Sequence, residues 1–234
     1  MNKACIIWAG RWAKRLQKRL PAHNITNIDL LDSFQEKIDV TDYDKVIICV
    51  PTYCVQEVVD KIHRGQGQKT IISCAKGLMD NGDTACTYLT KHFQEHSKWA
   101  IYFLGGANID DGNEVVEITK DRMLELACIL KNVYAIGFGI ALAKGENYAA
   151  HKLIKYFREY ASLGIKDAYR ADAIVSCYSD KSRNKTFGKA FAKGEKYDEA
   201  TVEGLNTAKV IEKHNLFKSC PHLRKITKTI TTTG

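Results

Sequence analysis

Short apolar, β-rich runs alternate with amphipathic patterns through the first half of the chain, and this alternation restricts the fold more than any other sequence feature. It is typical of a parallel sheet covered by helices. The predicted strands are residues 4–7, 25–31, 46–50, 70–73 and 100–104, and the predicted helices are residues 12–20, 54–62 and 84–95. We therefore expect an α/β N-terminal domain with a doubly wound, Rossmann-like parallel sheet.

The second half of the chain has a different pattern. Helical periodicity dominates from about residue 122 to residue 213, and β-rich runs become scarce. The expected organisation is a Rossmann-like domain at residues 1–115, followed by an all-α domain at residues 116–234. Residues 225–234 are rich in Thr and Lys, which predicts a loose tail.

Charge and hydropathy narrow the class of protein. The net charge of +8 favours anionic partners, but the lysines are spread along the chain and no nucleic-acid-reading motif accompanies them. The longest uncharged apolar stretch, residues 133–143, has 11 residues, whereas a membrane-spanning helix needs about 20. We expect a cytoplasmic protein without a membrane span or nucleic-acid partner, with reduced cysteines.

The turn after the first predicted strand stands where a dinucleotide fingerprint would lie. Residues 7–13 read IWAGRWA, so Trp8 occupies the first glycine position of GxGxxG, Gly10 the second and Ala13 the third. Such a damaged fingerprint is weak by itself, and these residues alone favour a plain strand-turn-helix. No metal site is expected, because His92 and His96 lack a third ligand nearby.

Several further motifs, in one collinear order, resemble the NAD-dependent glycerol-3-phosphate dehydrogenase family. The segments are VPT at 50–52, AKG at 75–77, GANI at 106–109, ELACILKNV at 125–133, ADAIVSCYS at 171–179, SRNKTFG at 182–188 and VEGLNTAK at 202–209. They are similar to the family's VPS or VPT, (T/S)KG, GANIA, ELGGALKNV, GDLVLTCTS, SRNRRFG and VEGVRTAKA. Each is weak alone, and their shared order makes the resemblance specific.

The resemblance implies that residues 1–115 are a dinucleotide-binding domain and residues 116–234 a substrate-binding domain, and it implies roles for particular residues. Lys131 is implied as the acid/base, Lys76 as a second active-site lysine, and Asp172 with Ser176 as their supporting polar pair. The implied substrate-binding residues are Arg183 and Asn184, which match a phosphate clamp, together with Asn132 and Asn108. The implied cofactor-binding residues are Trp8, Gly10, Arg11, Trp12, Pro51 and Glu203.

This set of residues suits the reduction of a ketone. Hydride must reach the carbon and a proton must reach the oxygen, and an ammonium close to the carbonyl polarises it and donates that proton. Arg183 offers a planar fork for a phosphate. Asp29 and Asp32 lie 19 and 22 positions after Gly10, where a ribose-binding acid is expected, which favours NAD over NADP.

Two hypotheses from different classes follow. The first is an NAD-dependent oxidoreductase that interconverts dihydroxyacetone phosphate and sn-glycerol 3-phosphate, a small phosphorylated three-carbon substrate. The second is a non-catalytic, phosphometabolite-binding descendant of that family, favoured by Trp8 and by a chain shorter than family members. The sequence is compatible with a homodimer and leaves the oligomeric state open.

Overall fold

The structure is a computed structural model that describes residues 3–8, 11–63, 67–93, 99–106 and 117–232, with the backbone alone at residues 11 and 12. The chain forms two compact units. The first contains the described parts of residues 1–76, 85–104 and 118–120, and the second those of residues 77–84, 105–117 and 121–234. The predicted domain boundary between residues 115 and 116 lies outside the described residues and stays a prediction.

A six-stranded sheet in the order β2-β1-β4-β6-β7-β8 organises the first unit, and β3 and β5 form a separate parallel pair. The strands are β1 (Lys3–Trp8), β2 (Asn27–Asp32), β3 (Ile38–Asp39), β4 (Lys45–Cys49), β5 (Ile62–His63), β6 (Thr70–Ser73), β7 (Ala100–Gly105) and β8 (Glu117–Thr119). Pairing from β2 across to β7 is parallel throughout. The five predicted strands are confirmed, whereas the short β3, β5 and β8 lacked a long enough apolar run to be predicted.

The order of the strands reverses at β1, which pairs with β2 on one side and with β4 on the other. In open α/β sheets, ligands bind outside the carboxyl ends of the strands at such a reversal. Trp8 is the last residue of β1 and stands in register with Asp32 and Cys49 on the two neighbouring strands. Trp8 therefore lies at the edge of the sheet where a ligand is expected.

Three helices belong to the first unit, α1 (Arg11–Arg19), α2 (Val55–Lys61) and α3 (Ala85–His92). A buried lysine ties the loop before β4 to the chain just before β6. The ammonium of Lys69 donates to the carbonyl oxygens of Val40, Thr41 and Tyr43 at 2.8, 3.0 and 2.7 Å. Burial lowers the pKa of Lys69, and the three carbonyls solvate its charge in place of water.

Helices form the second unit. They are α4 (Arg122–Leu142), α5 (Glu146–Ser162), α6 (Arg170–Tyr178), α7 (Arg183–Lys193), α8 (Glu203–Lys213) and α9 (Pro221–Thr231). The longest, α4, has 16 of its 21 residues buried, because the other helices of this unit pack around it. A parallel α/β sheet followed by a helical unit confirms the predicted fold class.

By length and composition, α4 is also the one helix of the described residues that is long and apolar enough to cross a membrane. Its most apolar window is 83% buried within the protein. A helix that is apolar on all sides is suited either to lipid or to the centre of a helical bundle. The contacts of α4 with α5, α6, α7, α8 and α9 place it in the second category.

The prediction of a loose tail over residues 225–234 is wrong for residues up to 231, which belong to α9. Ile226 and Ile230 are buried one helical turn apart. The spacing of these apolar residues among Thr and Lys is therefore that of a helix with one buried face. The carboxylate of Glu159 caps the helix by accepting from the backbone N–H groups of His222 and Leu223 at 2.5 and 3.0 Å. A cap that comes from a different helix leaves no local sequence signal.

Two glycines allow α4 and α7 to pack with their backbones in contact. A Cβ on Gly188 would collide with the carbonyl oxygen of Ile136, and a Cβ on Gly139 would collide with the carbonyl oxygen of Lys185. Neither carbonyl can move without breaking its helix. The crossing therefore requires glycine on both helices.

We expect Gly188→Ala to destabilise the protein by roughly 1–3 kcal/mol through overpacking against backbone. Helix propensity alone predicts the opposite sign, a gain of about 1 kcal/mol. Urea unfolding followed by circular dichroism measures the difference. The exposed helical Ala150→Gly is the control for propensity, and a stabilised Gly188→Ala would contradict the close crossing.

Candidate active site

The motif at residues 125–133 lies in the first half of α4, whose start is fixed by a side-chain cap. The carboxylate of Asp121 accepts from the backbone N–H of Met123 at 2.9 Å. The same carboxylate accepts from Lys166 at 2.6 Å and from the Tyr169 hydroxyl at 2.8 Å. These contacts hold the pKa of Asp121 below its usual range, the Lys166 hydrogen bond contributing most. They also tie the segment before α6 to the beginning of α4.

Lys131 and Asp172 form the centre of the site. The Lys131 ammonium donates to Asp172 Oδ1 at 2.5 Å, and the two side chains are only 9% and 6% exposed. The thiol of Cys128, one turn earlier on α4, donates to the other oxygen, Oδ2, at 3.4 Å. Structure thus brings together the two residues that the sequence proposed as acid/base and supporting carboxylate, and it adds Cys128. The similar motif has glycine at the position of Cys128, so the sequence did not indicate a role for this thiol.

Glu125 is a second buried charge on α4 that sequence reasoning did not single out. Its side chain is fully buried, accepts from the Thr84 hydroxyl at 2.9 Å, and lies 3.7 Å from a guanidinium nitrogen of Arg122. Thr84 ends a short segment, residues 77–84, that belongs to the helical unit although it lies within the first half of the sequence. The carboxylate therefore helps to attach that segment to α4.

A chain of amide contacts connects α4, α7 and α8. Asn184 donates to the side-chain oxygen of Asn132 at 3.0 Å and accepts from the backbone N–H of Gly204 at 3.0 Å. Asn132 in turn lies 3.5 Å from the carboxylate of Glu203. A Cβ on Gly204 would lie 2.7 Å from the Asn132 carbonyl oxygen, so glycine is required at this position. The predicted substrate-binding and cofactor-binding residues Asn132, Asn184 and Glu203 thus form one cluster.

Arg183 and Ser176 stand at the border of this region. Arg183 is exposed in the first turn of α7, a helix that Ser182 caps by accepting from the backbone N–H of Lys185. Ser176 is half-buried and lies on α6 one turn after Asp172, on the same face. Arg183 is accessible to a soluble anion, and Ser176 lies on the face of α6 that carries Asp172.

The other predicted residues belong to the first unit or lie outside the described chain. Lys76 is half-buried and follows β6 by three residues, and Pro51 is exposed after β4. A hydrogen bond with Cys49 and burial raise the pKa of the Cys74 thiol, and the charge of Lys76 partly opposes this rise. Gly10 and Asn108 lie outside the described residues. Arg11 and Trp12 begin α1, with their side chains outside the description.

Trp8 and Asp32 define the candidate nucleotide edge of the sheet. Trp8 is half-buried, and the Lys14 ammonium lies 5.7 Å from its ring centre, within cation–π distance. Asp32, the last residue of β2, is exposed and in register with Trp8. Asp29, the alternative ribose acid, lies inside β2 and pairs with Lys3 at 3.2 Å and with the Tyr43 hydroxyl at 2.8 Å. The position of Asp32 fits a ribose hydroxyl, and that of Asp29 does not.

Comparison with known proteins gives a consistent result. The family model described as NAD-dependent glycerol-3-phosphate dehydrogenase C-terminus matches residues 122–232. The chain is 26% identical over 216 residues to a glycerol-3-phosphate dehydrogenase [NAD(P)+] of Rickettsia rickettsii, covering 73% of this chain and 61% of that protein. It is 34% identical over 116 residues to a protein of the same name from Pseudomonas putida, covering 42% of this chain and 34% of that protein.

A crystal structure of a glycerol-3-phosphate dehydrogenase from Coxiella burnetii has a similar fold, with a TM-score of 0.78 at 16% identity. The similarity covers 100% of this chain and 95% of that one. By sequence, the chain spans about three-fifths of the length of the Rickettsia relative.

We expect the Lys131–Asp172 pair to behave as a coupled buried unit. Asp172→Asn leaves the ammonium without a counter-charge and should lower the free energy of unfolding by about 3 kcal/mol. Lys131→Met combined with Asp172→Asn should cost less than the sum of the single changes, since it removes both charges. Urea unfolding of the four proteins in this double-mutant cycle measures the coupling, and additive effects would contradict a buried ion pair.

Proposed function

We propose, from the premise that this chain belongs to the NAD-dependent glycerol-3-phosphate dehydrogenase family through residues 122–232, that it interconverts dihydroxyacetone phosphate and sn-glycerol 3-phosphate. One observation carries the proposal. The matched segment holds a lysine ammonium and a carboxylate 2.5 Å apart in a nearly closed interior. Reducing a ketone needs such a proton donor next to the carbonyl oxygen.

In this proposal Lys131 supplies the proton at its Nζ atom and takes it back in the reverse direction. Asp172 fixes the direction of the ammonium, and the Cys128 thiol donates to the second carboxylate oxygen. Because the site is shielded from water, the Lys131 ammonium attracts a developing alkoxide more strongly than it would at the surface. Lys76 is proposed as the second lysine of the site, and Ser176 as a further polar group beside Asp172.

The phosphate end of the substrate is assigned to Arg183 and Asn184. Arg183 is exposed at the start of α7, where its guanidinium can reach an anion and bind two of its oxygens. Asn184 uses its amide oxygen and one amide contact to join α4 and α8, which makes it rigid. A rigid amide and a mobile guanidinium together orient the substrate with its carbonyl toward the proton donor. Asn132 and Asn108 complete the proposed substrate-binding set.

The proposed cofactor is NAD, bound at the carboxyl ends of β1, β2 and β4. When bound, the nicotinamide supplies or accepts the hydride. Trp8 and Pro51 border this edge of the sheet, and Asp32 is placed to accept from a ribose 2′-hydroxyl and to repel a 2′-phosphate. Gly10, Arg11, Trp12 and Glu203 complete the proposed cofactor set. A cytoplasmic location belongs to the same proposal.

A second candidate is a non-catalytic protein that binds a phosphometabolite. The observation that favours it is the indole of Trp8 at the sheet edge, where the fingerprint of a dinucleotide site has glycine. An indole there either fills the nucleotide space or covers the bound nucleotide. We infer the covering arrangement, because the chain keeps the whole set of residues proposed for proton transfer and phosphate binding, namely Lys76, Lys131, Asp172, Arg183 and Asn184.

We expect Lys131→Ala to lower kcat/KM by roughly 10²- to 10⁴-fold, or about 3–5 kcal/mol, because general acid catalysis is lost. The assay follows NADH absorbance with dihydroxyacetone phosphate. Lys196→Ala, an exposed lysine beyond α7, is the matched control. A folded Lys131→Ala protein that keeps more than about a tenth of the activity would remove the lysine from the mechanism.

Trp8→Gly separates the two candidate functions. If the indole covers the nucleotide, the change should weaken NADH binding by about 1–2 kcal/mol, the loss of one stacking contact. Calorimetric titration of NADH measures this. If the unchanged protein does not bind NADH and Trp8→Gly does, the enzyme hypothesis is rejected in favour of the binding protein.

A further inference from the structure

A second cleft opens in the helical unit, on α4, α5 and α9, and none of the proposed site residues borders it. Its volume is about 170 Å³, and its walls include Ile140, Lys144, Lys152, Tyr156, His222 and Lys225. Gly137 also lines it, six residues after Lys131 on α4. Six residues correspond to about 9 Å along the helix and to a different face. The cleft is therefore separate from the Lys131–Asp172 pair.

Positive charge surrounds this cleft. Lys144 lies in the turn after α4, Lys152 on α5 and Lys225 on α9, and none of the three forms an ion pair with any residue that the structure describes. Lys144 and Lys152 lie 5.7 and 5.2 Å from the ring centre of Tyr148. A hydrogen bond from Lys152 and the charges of Lys144 and Lys225 hold the pKa of Tyr148 below its usual range.

The carboxylate that acts on His222, a residue of the cleft wall, is already engaged. Glu159 accepts from the Tyr134 hydroxyl at 2.7 Å and from the backbone N–H groups of His222 and Leu223. Burial, opposed by Glu159 and reinforced by Lys152, Lys155 and Lys225, lowers the pKa of His222. The local field is therefore positive, and an incoming anion would find three lysines without a carboxylate partner.

A tyrosine hydroxyl lies at the inside of the cleft. Tyr156 is 4% exposed, and its hydroxyl lies beside Gly137, where a Cβ would be only 2.8 Å from the oxygen. Among the described residues this hydroxyl has no hydrogen-bond partner. The oxygen can therefore donate to or accept from a molecule bound on the cleft floor. Ile140, Ala141 and Ile226 make the rest of the floor apolar.

We propose that this cleft is a binding site for a small phosphate monoester, whose dianionic group lies among Lys144, Lys152 and Lys225 and whose uncharged part covers the apolar floor beside Tyr156. Three ammonium groups from three elements match the several oxygens of a phosphoryl group. The small volume fits one compact molecule. A polymer such as nucleic acid or an acidic peptide would need a longer charged groove.

The test uses phenyl phosphate as probe, with inorganic phosphate and phenol as partial probes. The His222 ring proton resonance, identified by its loss in His222→Gln, reports on the cleft itself. Phenyl phosphate should shift this resonance in a saturable way and raise the pKa of His222, because a nearby dianion favours the imidazolium. Inorganic phosphate should bind more weakly and phenol should not bind. An unshifted His222 resonance would overturn the proposal.

Matched variants assign the binding to particular groups. Lys152→Gln with Lys225→Gln should raise the Kd at His222 by at least about tenfold, and Tyr156→Phe by about fivefold. The control pair Lys196→Gln with Lys218→Gln removes the same charge from exposed positions elsewhere and should change the Kd by less than about twofold. An equal rise in Kd for both double variants would indicate a general charge effect and contradict a specific site.

Two further arms separate this cleft from other anion-binding possibilities. Arg183→Gln should leave the His222 titration unchanged, so a failure of the proposed catalytic phosphate clamp does not affect this result. Vesicles of phosphatidylglycerol and a short single-stranded oligonucleotide offer the same charge on larger bodies. A His222 response to either of these, without a response to phenyl phosphate, would overturn the small-ligand site in favour of a membrane or nucleic-acid contact.

Discussion

The ion pair between Lys131 and Asp172 is the interaction on which the helical unit depends. Helix α4 is buried on nearly all sides, and a charged side chain in such a place is stable only beside a partner. Asp172 supplies that partner from α6, 41 residues away, and Cys128 occupies its other oxygen. Removing any large part of this arrangement would leave an isolated charge in an apolar interior. The pair therefore fixes the position of α6 against α4, and it also holds a candidate proton donor in place.

The same helix accommodates its other neighbours through small residues and amides. Gly139 and Gly188 let α4 and α7 approach until backbone meets backbone, and Gly204 lets α8 do the same beside Asn132. Asn184 then joins all three helices through its side-chain amide. Because these contacts are rigid, Arg183 emerges from a fixed helix start, and only its flexible side chain is free to adjust to an anion.

Helix α4 thus serves two regions with different chemistry. Its first half presents Glu125, Lys131 and Asn132 to polar partners, whereas its second half presents Gly137, Ile140 and Ala141 to the basic cleft. Both regions would attract phosphate groups, which agrees with the net charge of +8. Three of the lysines that are dispersed in the sequence meet at the cleft.

The sequence by itself determined the elements with strong local patterns. Short β-rich runs located the five main strands, and the motif at residues 125–133 led to the proposal for Lys131, because periodicity and short motifs are properties of neighbouring residues. Only the tertiary structure decided which distant groups meet. It assigned residues 77–84 to the helical unit, capped α9 with Glu159, placed Cys128 beside Asp172, paired Asp29 with Lys3 while leaving Asp32 exposed, and brought three lysines to the cleft that Tyr156 lines. Such contacts depend on the packing of whole helices and strands, so the local sequence around each residue does not predict them.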